Sequence, residues 1–328
     1  KNFNSTIVAD FILSKTFDFK SKNKFIWEKW LMFSVIIPSL NNIEYLEFAI
    51  WSLIKNSKFN DHEIIVHVNI GSDGTLDFLK KNNIKYTFTD YNAGITRGVN
   101  LAVSKASRKF IVYAHDDFYF CPDWDYYLFN EINKIKDDMF YLSGTMINNG
   151  QIKLDCGNTL AEFNEKKLLS CLKTIKTIDF QGSTWAPTLI SKDLWDKVGG
   201  FSEEYFAGSG SDPDFNMKLW KLGVRIFKGV GNSRVYHFGS IVSRKKKNTS
   251  TKWAGSRGGK FFLLKWGFSI KFFTNFYLRG CKTVNKTLIC NEYDGPLSNP
   301  KKNLTYILLL IKDKIYYLYL KFTFYKWV

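Results

Sequence analysis

Phe33-Ser-Val-Ile-Ile-Pro38, followed by Ser39-Leu-Asn-Asn42, is an apolar run of strand length closed by a proline and a polar turn. A run of this kind reads as a buried parallel strand rather than a helix, because a parallel sheet is covered on both faces. After the turn, Leu46, Ile50, Leu53 and Ile54 recur at helical spacing, and then the unit repeats. Glu63-Ile-Ile-Val-His-Val68 reads as a second strand, closed by Asn69-Ile-Gly-Ser-Asp-Gly-Thr75. A helix is expected from Thr75 to Lys81 and a third strand from Ile84 to Phe88. Beyond Asn92-Ala-Gly94 a helix runs to about Ser104, and Lys109-Phe-Ile-Val-Tyr-Ala114 is a fourth strand that leads into His115-Asp-Asp117. Strand, loop and helix thus recur three times with polar clusters at the strand carboxyl ends. This predicts an α/β nucleotide-binding layout in which ligands sit off those ends.

No GxGxxG follows the first strand and no GxxxxGK[ST] occurs, so dinucleotide dehydrogenases and P-loop NTPases lose their support. In place of a glycine-rich phosphate loop stand two adjacent carboxylates directly after a hydrophobic strand. Hard oxygen ligands beside a nucleotide pocket suit Mg²⁺ or Mn²⁺, which can bridge a diphosphate and neutralise its charge.

The chain has 328 residues, 45% of them hydrophobic and 17% aromatic, a composition that excludes disordered and collagen-like classes. Its 47 basic and 30 acidic residues give a net charge of +17, but 18 of the basic and only 3 of the acidic residues lie within 241–328. The first 240 residues are therefore nearly neutral, and the basic excess belongs to the tail. Five widely separated cysteines without a CxxC pair argue against a zinc site or a disulfide framework and for a reducing compartment. Lys1 to Lys24 lacks the apolar core of a signal peptide, and no run of about 18 uncharged apolar residues predicts a transmembrane helix.

Several motifs occur in one order: Pro38-Ser-Leu-Asn41, the Asn69 to Thr75 turn, Asn92-Ala-Gly94 with Arg97 and Asn100, His115-Asp-Asp117 followed by Pro122, Val198-Gly-Gly-Phe201, and Gly210-Ser-Asp-Pro-Asp214. In this order the chain resembles inverting family 2 glycosyltransferases of the GT-A fold over roughly residues 32–240. The resemblance implies a Rossmann-like, mostly parallel central sheet flanked by helices. It divides the chain into an N-terminal extension (1–31), a catalytic domain (32–240, the donor half to about 122 and the acceptor half 123–240) and a basic, aromatic-rich helical extension (241–328). It further implies a hexosyl transfer from a nucleotide-diphosphate sugar, UDP-sugars favoured, to a hydroxyl of a glycan or lipid-linked acceptor in surface polysaccharide or glycoconjugate synthesis, with Mn²⁺ or Mg²⁺ held by a DXD-type motif.

Carried over residue by residue, Asp117 matches the metal-binding carboxylate of that motif, and Asp116 would reach the donor ribose or a metal-bound water. His115 stands where the first Asp is usual. His237, after a strand-like stretch, matches a further metal or diphosphate contact. Pro38, Ser39, Asn41, Asn69, Asp73, Gly94 and Arg97 match donor-site positions, with amides at Asn42 and Asn69 where acids are common. Asp212 matches the general base, with Asp214 as the fallback and Ser211 in place of the usual Glu; for both Asp residues the alternative is simple attraction to a helix N-terminus. Trp185 is either an acceptor-stacking ring or a buried core residue.

In the tail, Ser243 to Gly259 reads as a mobile loop, either a lid over the donor or a solvated linker. Beyond it, Leu304, Ile307, Leu308, Ile311, Ile315, Leu318, Phe322 and Tyr325 recur at three-four spacing with lysines nearby, while Lys314 to Leu320 also fits a strand. Lysine with aromatics along amphipathic helices suits an anionic membrane surface, and packing on the core is the alternative. The expected location is cytoplasmic, peripheral at the inner face of the membrane. Two other classes compete: a nucleic-acid or polyanion-binding protein, which explains the tail but leaves the ordered carboxylates unused, and a sugar nucleotidyltransferase. No specific nucleic-acid partner is expected.

Overall fold

The computed structural model describes residues 33–182, 185–206, 208–239, 250–284 and 287–324. The expected N-terminal extension 1–31 and the lysine cluster before residue 250 lie outside them. The repeating unit forms as read: β1 (Phe33–Leu40), α1 (Ile43–Asn56), β2 (Glu63–Asn69), α2 (Thr75–Lys81), β3 (Lys85–Thr89), α3 (Ile95–Val103) and β4 (Phe110–Tyr113). There follow β5 (Phe118–Phe120), α4 (Trp124–Lys134), β6 (Phe140–Asn148), α5 (Glu165–Leu172), β7 (Phe180–Gln181), β8 (Thr188–Ser191), α6 (Lys192–Val198), α7 (Ser211–Lys221) and β9 (Ile226–His237). The tail adds α8 (Ser250–Trp266), α9 (Ile270–Phe273), β10 (Lys282–Val284), β11 (Thr287–Ile289) and α10 (Leu304–Phe324).

Nine strands form one sheet in the order β3-β2-β1-β4-β8-β6-β9-β5, with β7 also on β9. β3, β2, β1 and β4 are mutually parallel, and β6 and β9 run parallel to each other. β8 is antiparallel to both β4 and β6, while β5 and β7 run against β9. The sheet is therefore mixed rather than mostly parallel, six strands running one way and β5, β7 and β8 the other, with helices flanking it. β1, inside the parallel half, is buried on both faces, with Phe33, Val35, Ile36 and Ile37 fully covered, which is why it reads as continuous apolar sequence. Asn42 sits at the N-cap of α1 but makes no side-chain cap; Asp73 takes that role from the next loop, accepting from Ile43 N at 2.8 Å.

The tail joins the same core. Phe262, Phe268, Phe272, Phe273 and Leu278 cluster with Phe215 and Trp220 of α7. Here three sequence expectations are corrected. The glycine-containing stretch from Ser250 to Gly259 is helical rather than a loop, because burial of Phe262 and Leu263 outweighs poor local propensity. Lys314 to Leu320 lies within α10 and is not a strand. Cys281 and Cys290 are disulfide-bonded, since the β10-β11 hairpin pairs Lys282 with Ile289 and sets the flanking cysteines face to face. The bond removes the cysteine argument for a reducing compartment. Among the described residues no helix is long and apolar enough to cross a membrane.

Candidate active site

The polar residues at the ends of β1, β4 and β9 converge. β4 ends at Tyr113, and the short β5 turns back to pair with β9, bringing Phe118 opposite His237. That register places His237 Nε2 3.5 Å from Asp117 Oδ1, both side chains buried. His115 joins them: one ligand atom from each of His115, Asp117 and His237 lies within 4.8 Å of the others. Two metal-ligand bonds of about 2.0–2.6 Å laid end to end span a similar distance, so the three could close on one ion. Burial pushes the His115 imidazole down to about 4, which keeps it neutral as a ligand must be. The Tyr113 hydroxyl lies 3.0 Å from His115 Nε2 and fixes that ring from behind.

Among the described residues, two buried polar side chains beside Asp116 and Asp117 lack hydrogen-bond partners. Both ring nitrogens of His237 and both amide atoms of Asn42 are in this state. Buried polar atoms are normally paired, so two such side chains, one after β1 and one at the end of β9, mark a place shaped for something else to bind. The Asn42 amide lies beside Asp116 and favours its charged form, although it reaches no regular hydrogen-bond geometry. Ser39 donates its hydroxyl to Asp116 Oδ2 at 2.7 Å. Burial, and then the neighbouring Asp117 charge, nonetheless raise the Asp116 carboxyl well above its usual range. A bound cation would relieve that repulsion, so the donor set fits a divalent metal.

Asp212 and Asp214 share the first turn of α7 and differ completely. The Asp212 carboxylate receives no hydrogen bond among the described residues, and burial pushes it up to about 7. It lies near the Tyr113 hydroxyl, which also feels the Asp116 and Asp117 charges, so it faces the strand-end cluster. Asp214 is fully buried and saturated. It accepts from Ser202 Oγ at 2.6 Å and Trp266 Nε1 at 2.8 Å, with Lys265 Nζ 3.0 Å away. Its oxygens, those of the fallback base, are committed to donors that hold α7 against α8. Gly258 completes this junction, for a Cβ there would come within 1.9 Å of the Ser209 carbonyl oxygen, three residues before Asp212.

The remaining donor-site candidates form the rim. Pro38 pairs with His67 in the sheet. Asn41 exchanges hydrogen bonds with Ser72, its Nδ2 donating to Ser72 Oγ and its Oδ1 accepting from Ser72 N, each at 3.0 Å. Asp73 ties the starts of α1 and α2 together. Asn69 accepts from Ala93 N at 2.8 Å and so holds the Asn92-Ala-Gly94 turn, whose Gly94 adopts φ +82° with its α-carbon against the Phe206 carbonyl. Arg97 is half exposed, 4.0 Å from Glu203. Trp185 is exposed rather than buried. Sequence reading missed Tyr113, Lys265 and Trp266; the only signal for Tyr113 is its place two residues before His115 at the end of β4.

A family model described as Glycosyl transferase family 2 matches residues 34–182. Among solved structures the chain is similar to S. aureus TarS 1–349 in complex with UDP, at 20% identity and TM-score 0.48 over 62% of this chain and 60% of that one. It is similar to the same TarS segment in complex with UDP-GlcNAc at 14% identity and TM-score 0.49, over 82% and 100% of the two chains. A third similar structure is GalNAc-T7 with UDP, GalNAc and Mn²⁺, at 17% identity and TM-score 0.49 over 71% of this chain and 49% of that one. The comparison with curated proteins found no match. The matched stretch 34–182 supplies Ser39, Asn42, His115, Asp116 and Asp117, and in it the chain is similar to the Glycosyl transferase family 2 model.

Proposed function

We propose that this chain is a metal-dependent inverting glycosyltransferase that moves a sugar from a nucleotide-diphosphate donor, UDP-sugars favoured, to a hydroxyl of a glycan or lipid-linked acceptor. Its place in this reading is surface polysaccharide or glycoconjugate synthesis, peripheral at the cytoplasmic face of a membrane. The observation that carries the chemistry is the pairing of the His115, Asp117, His237 cluster, its Asp117 and His237 buried and its His115 half-buried, with Asp212, a carboxylate free of donors among the described residues and raised to about 7.

His115, Asp117 and His237 would hold the cation. Two imidazoles beside one carboxylate favour Mn²⁺ over Mg²⁺, which prefers oxygen ligands. When bound, the ion offsets the charge of the donor diphosphate. Ser39 and Asp116 hold the ribose end, and the Asn69-supported turn shapes the pocket wall. Asp212 orients the acceptor hydroxyl and takes its proton. As the acceptor oxygen bonds to the anomeric carbon, the bond from that carbon to the diphosphate oxygen breaks on the opposite face, and the nucleotide diphosphate leaves with the electron pair. A carboxylate poised near neutral pH is basic enough for this task and still ionised in a useful fraction of molecules.

The test is a panel of nucleotide sugars with and without Mn²⁺, read by thermal stabilisation and by slow donor hydrolysis, repeated on Asp117→Ala. Metal-dependent stabilisation by one donor, lost in the variant, is expected. A chain indifferent to every donor in the presence of Mn²⁺ contradicts the reading.

A further inference from the structure

Helix α10 is apolar on two opposite faces. At about 100° per residue, Tyr306, Leu309, Asp313 and Leu320 share one side. Tyr306 packs its ring on Phe272 and Phe276, Leu320 is buried, and Asp313 accepts from Ser269 N at 2.7 Å. That side closes onto the protein. The reverse side carries Leu304, Leu308, Ile311, Ile315, Leu318 and Phe322, spaced alternately by four and three residues and each at least half exposed, from 50% at Ile311 to 76% at Phe322. These six fall within about 40° of a single line along the helix. An apolar stripe of this length on a folded surface marks an interaction site.

The charges say what covers it. Exposed Lys312 flanks the stripe on one side, and exposed Lys314 and Lys321 flank it on the other, each roughly 80–100° from its centre. The single acid of the helix, Asp313, faces the protein. If a second copy lay along the stripe, lysines would meet lysines with no acid to pair them. An anionic lipid surface meets the same geometry favourably: the apolar stripe enters the acyl boundary, the lysine stems lie along it with their ammonium groups at the phosphates, and Tyr316 and Tyr319 sit at headgroup depth. Pinned along one side by Tyr306 and Leu320, the helix lies on the bilayer and does not cross it.

We propose that the outer face of α10 seats the chain on an anionic lipid bilayer with the helix axis parallel to the surface. This rests on the membrane clause of the reading above, names the surface that serves it, and depends on none of the site residues.

The experiment is co-sedimentation of the full chain at low salt with phosphatidylcholine vesicles, with and without phosphatidylglycerol. Wild type is expected to pellet with the anionic vesicles and to stay in solution with the neutral ones. Ile311→Ser combined with Ile315→Ser, both solvent-facing, is expected to weaken binding by about tenfold or more. Lys312→Gln with Lys314→Gln is expected to weaken it several-fold and to erode the preference for anionic lipid. Nucleotide-sugar stabilisation and melting temperature, measured on the same samples, should not move. Their retention separates a loss of this surface from a failure of the enzyme reading or of the fold. Equal sedimentation of wild type and the double serine variant overturns the proposal, as does wild type ignoring anionic vesicles. A self-association in analytical ultracentrifugation that the serine variant abolishes assigns the stripe to a second copy and overturns it equally.

Discussion

Two buried acidic regions lie on either side of the first turn of α7, and they meet their charge in opposite ways. At the strand ends, Asp116 and Asp117 are adjacent, and among the described residues the neighbouring His237 and Asn42 side chains lack hydrogen-bond partners and the Asp212 carboxylate accepts nothing. At the α7-α8 junction, Asp214 is buried like Asp116 and Asp117, and more deeply than the half-buried Asp212, yet Ser202, Trp266 and Lys265 surround it with donors. Burial alone therefore does not separate a site from an anchor. Satisfaction does: a buried carboxylate that the fold has fully paired holds elements together, and one left raised and unpaired is available to a substrate.

The largest expected effect breaks this comparison directly. Asp212→Asn should lower sugar-transfer turnover by about 10²–10⁴-fold, the usual worth of a general base, while donor binding and melting temperature stay intact. If Asp214→Asn cost the same turnover with an unchanged melting temperature, the assignments would be reversed. Asp214→Ala should instead destabilise the fold by about 1–3 kcal/mol, because it leaves Trp266 Nε1 and Ser202 Oγ without their acceptor while Lys265 keeps Glu204, and chemical denaturation measures this. His237→Ala should weaken Mn²⁺ binding by at least about 10–100-fold, read by titration calorimetry with the nucleotide present.

The smallest effect is in pH. Asp212 is raised in the folded chain to about 7, against roughly 3.9 for an unfolded Asp. Between those values the folded state holds the extra proton, so this group's contribution to stability is present at low pH and is lost as pH rises toward 7. Turnover should rise over the same upper range as the base ionises. Melting curves of wild type and Asp212→Asn across that window should differ in slope, wild type falling more steeply toward neutral pH.

Much of the donor half is legible in the sequence because its determinants are local. β1, β2 and β4 are largely apolar runs, and Ser39, Asn69, Asp116 and Asp117 lie at or just beyond their carboxyl ends. The sharing of roles between Asp212 and Asp214 is not legible, because the groups that commit Asp214 lie 51 and 52 residues further along the chain. The same holds for α8, where three glycines suggest a loop and only the close seat of Gly258 on Ser209 explains why glycine is needed in a helix. His115 is legible as a departure from the usual acid but not as a ligand, since its neighbour His237 arrives through the β5-β9 pairing. The stripe on α10 is visible as three-four spacing, whereas which face remains exposed depends on the rings of Phe272 and Phe276 that cover the other.

The central claim is that the strand-end cluster binds a divalent metal together with a nucleotide diphosphate, and calorimetric titration of UDP into the chain with and without Mn²⁺, on wild type and Asp117→Ala, tests it most directly. Binding is expected to require Mn²⁺ in wild type and to be lost in Asp117→Ala; UDP affinity that is the same with and without Mn²⁺ in both proteins would show that the cluster does not join metal to nucleotide.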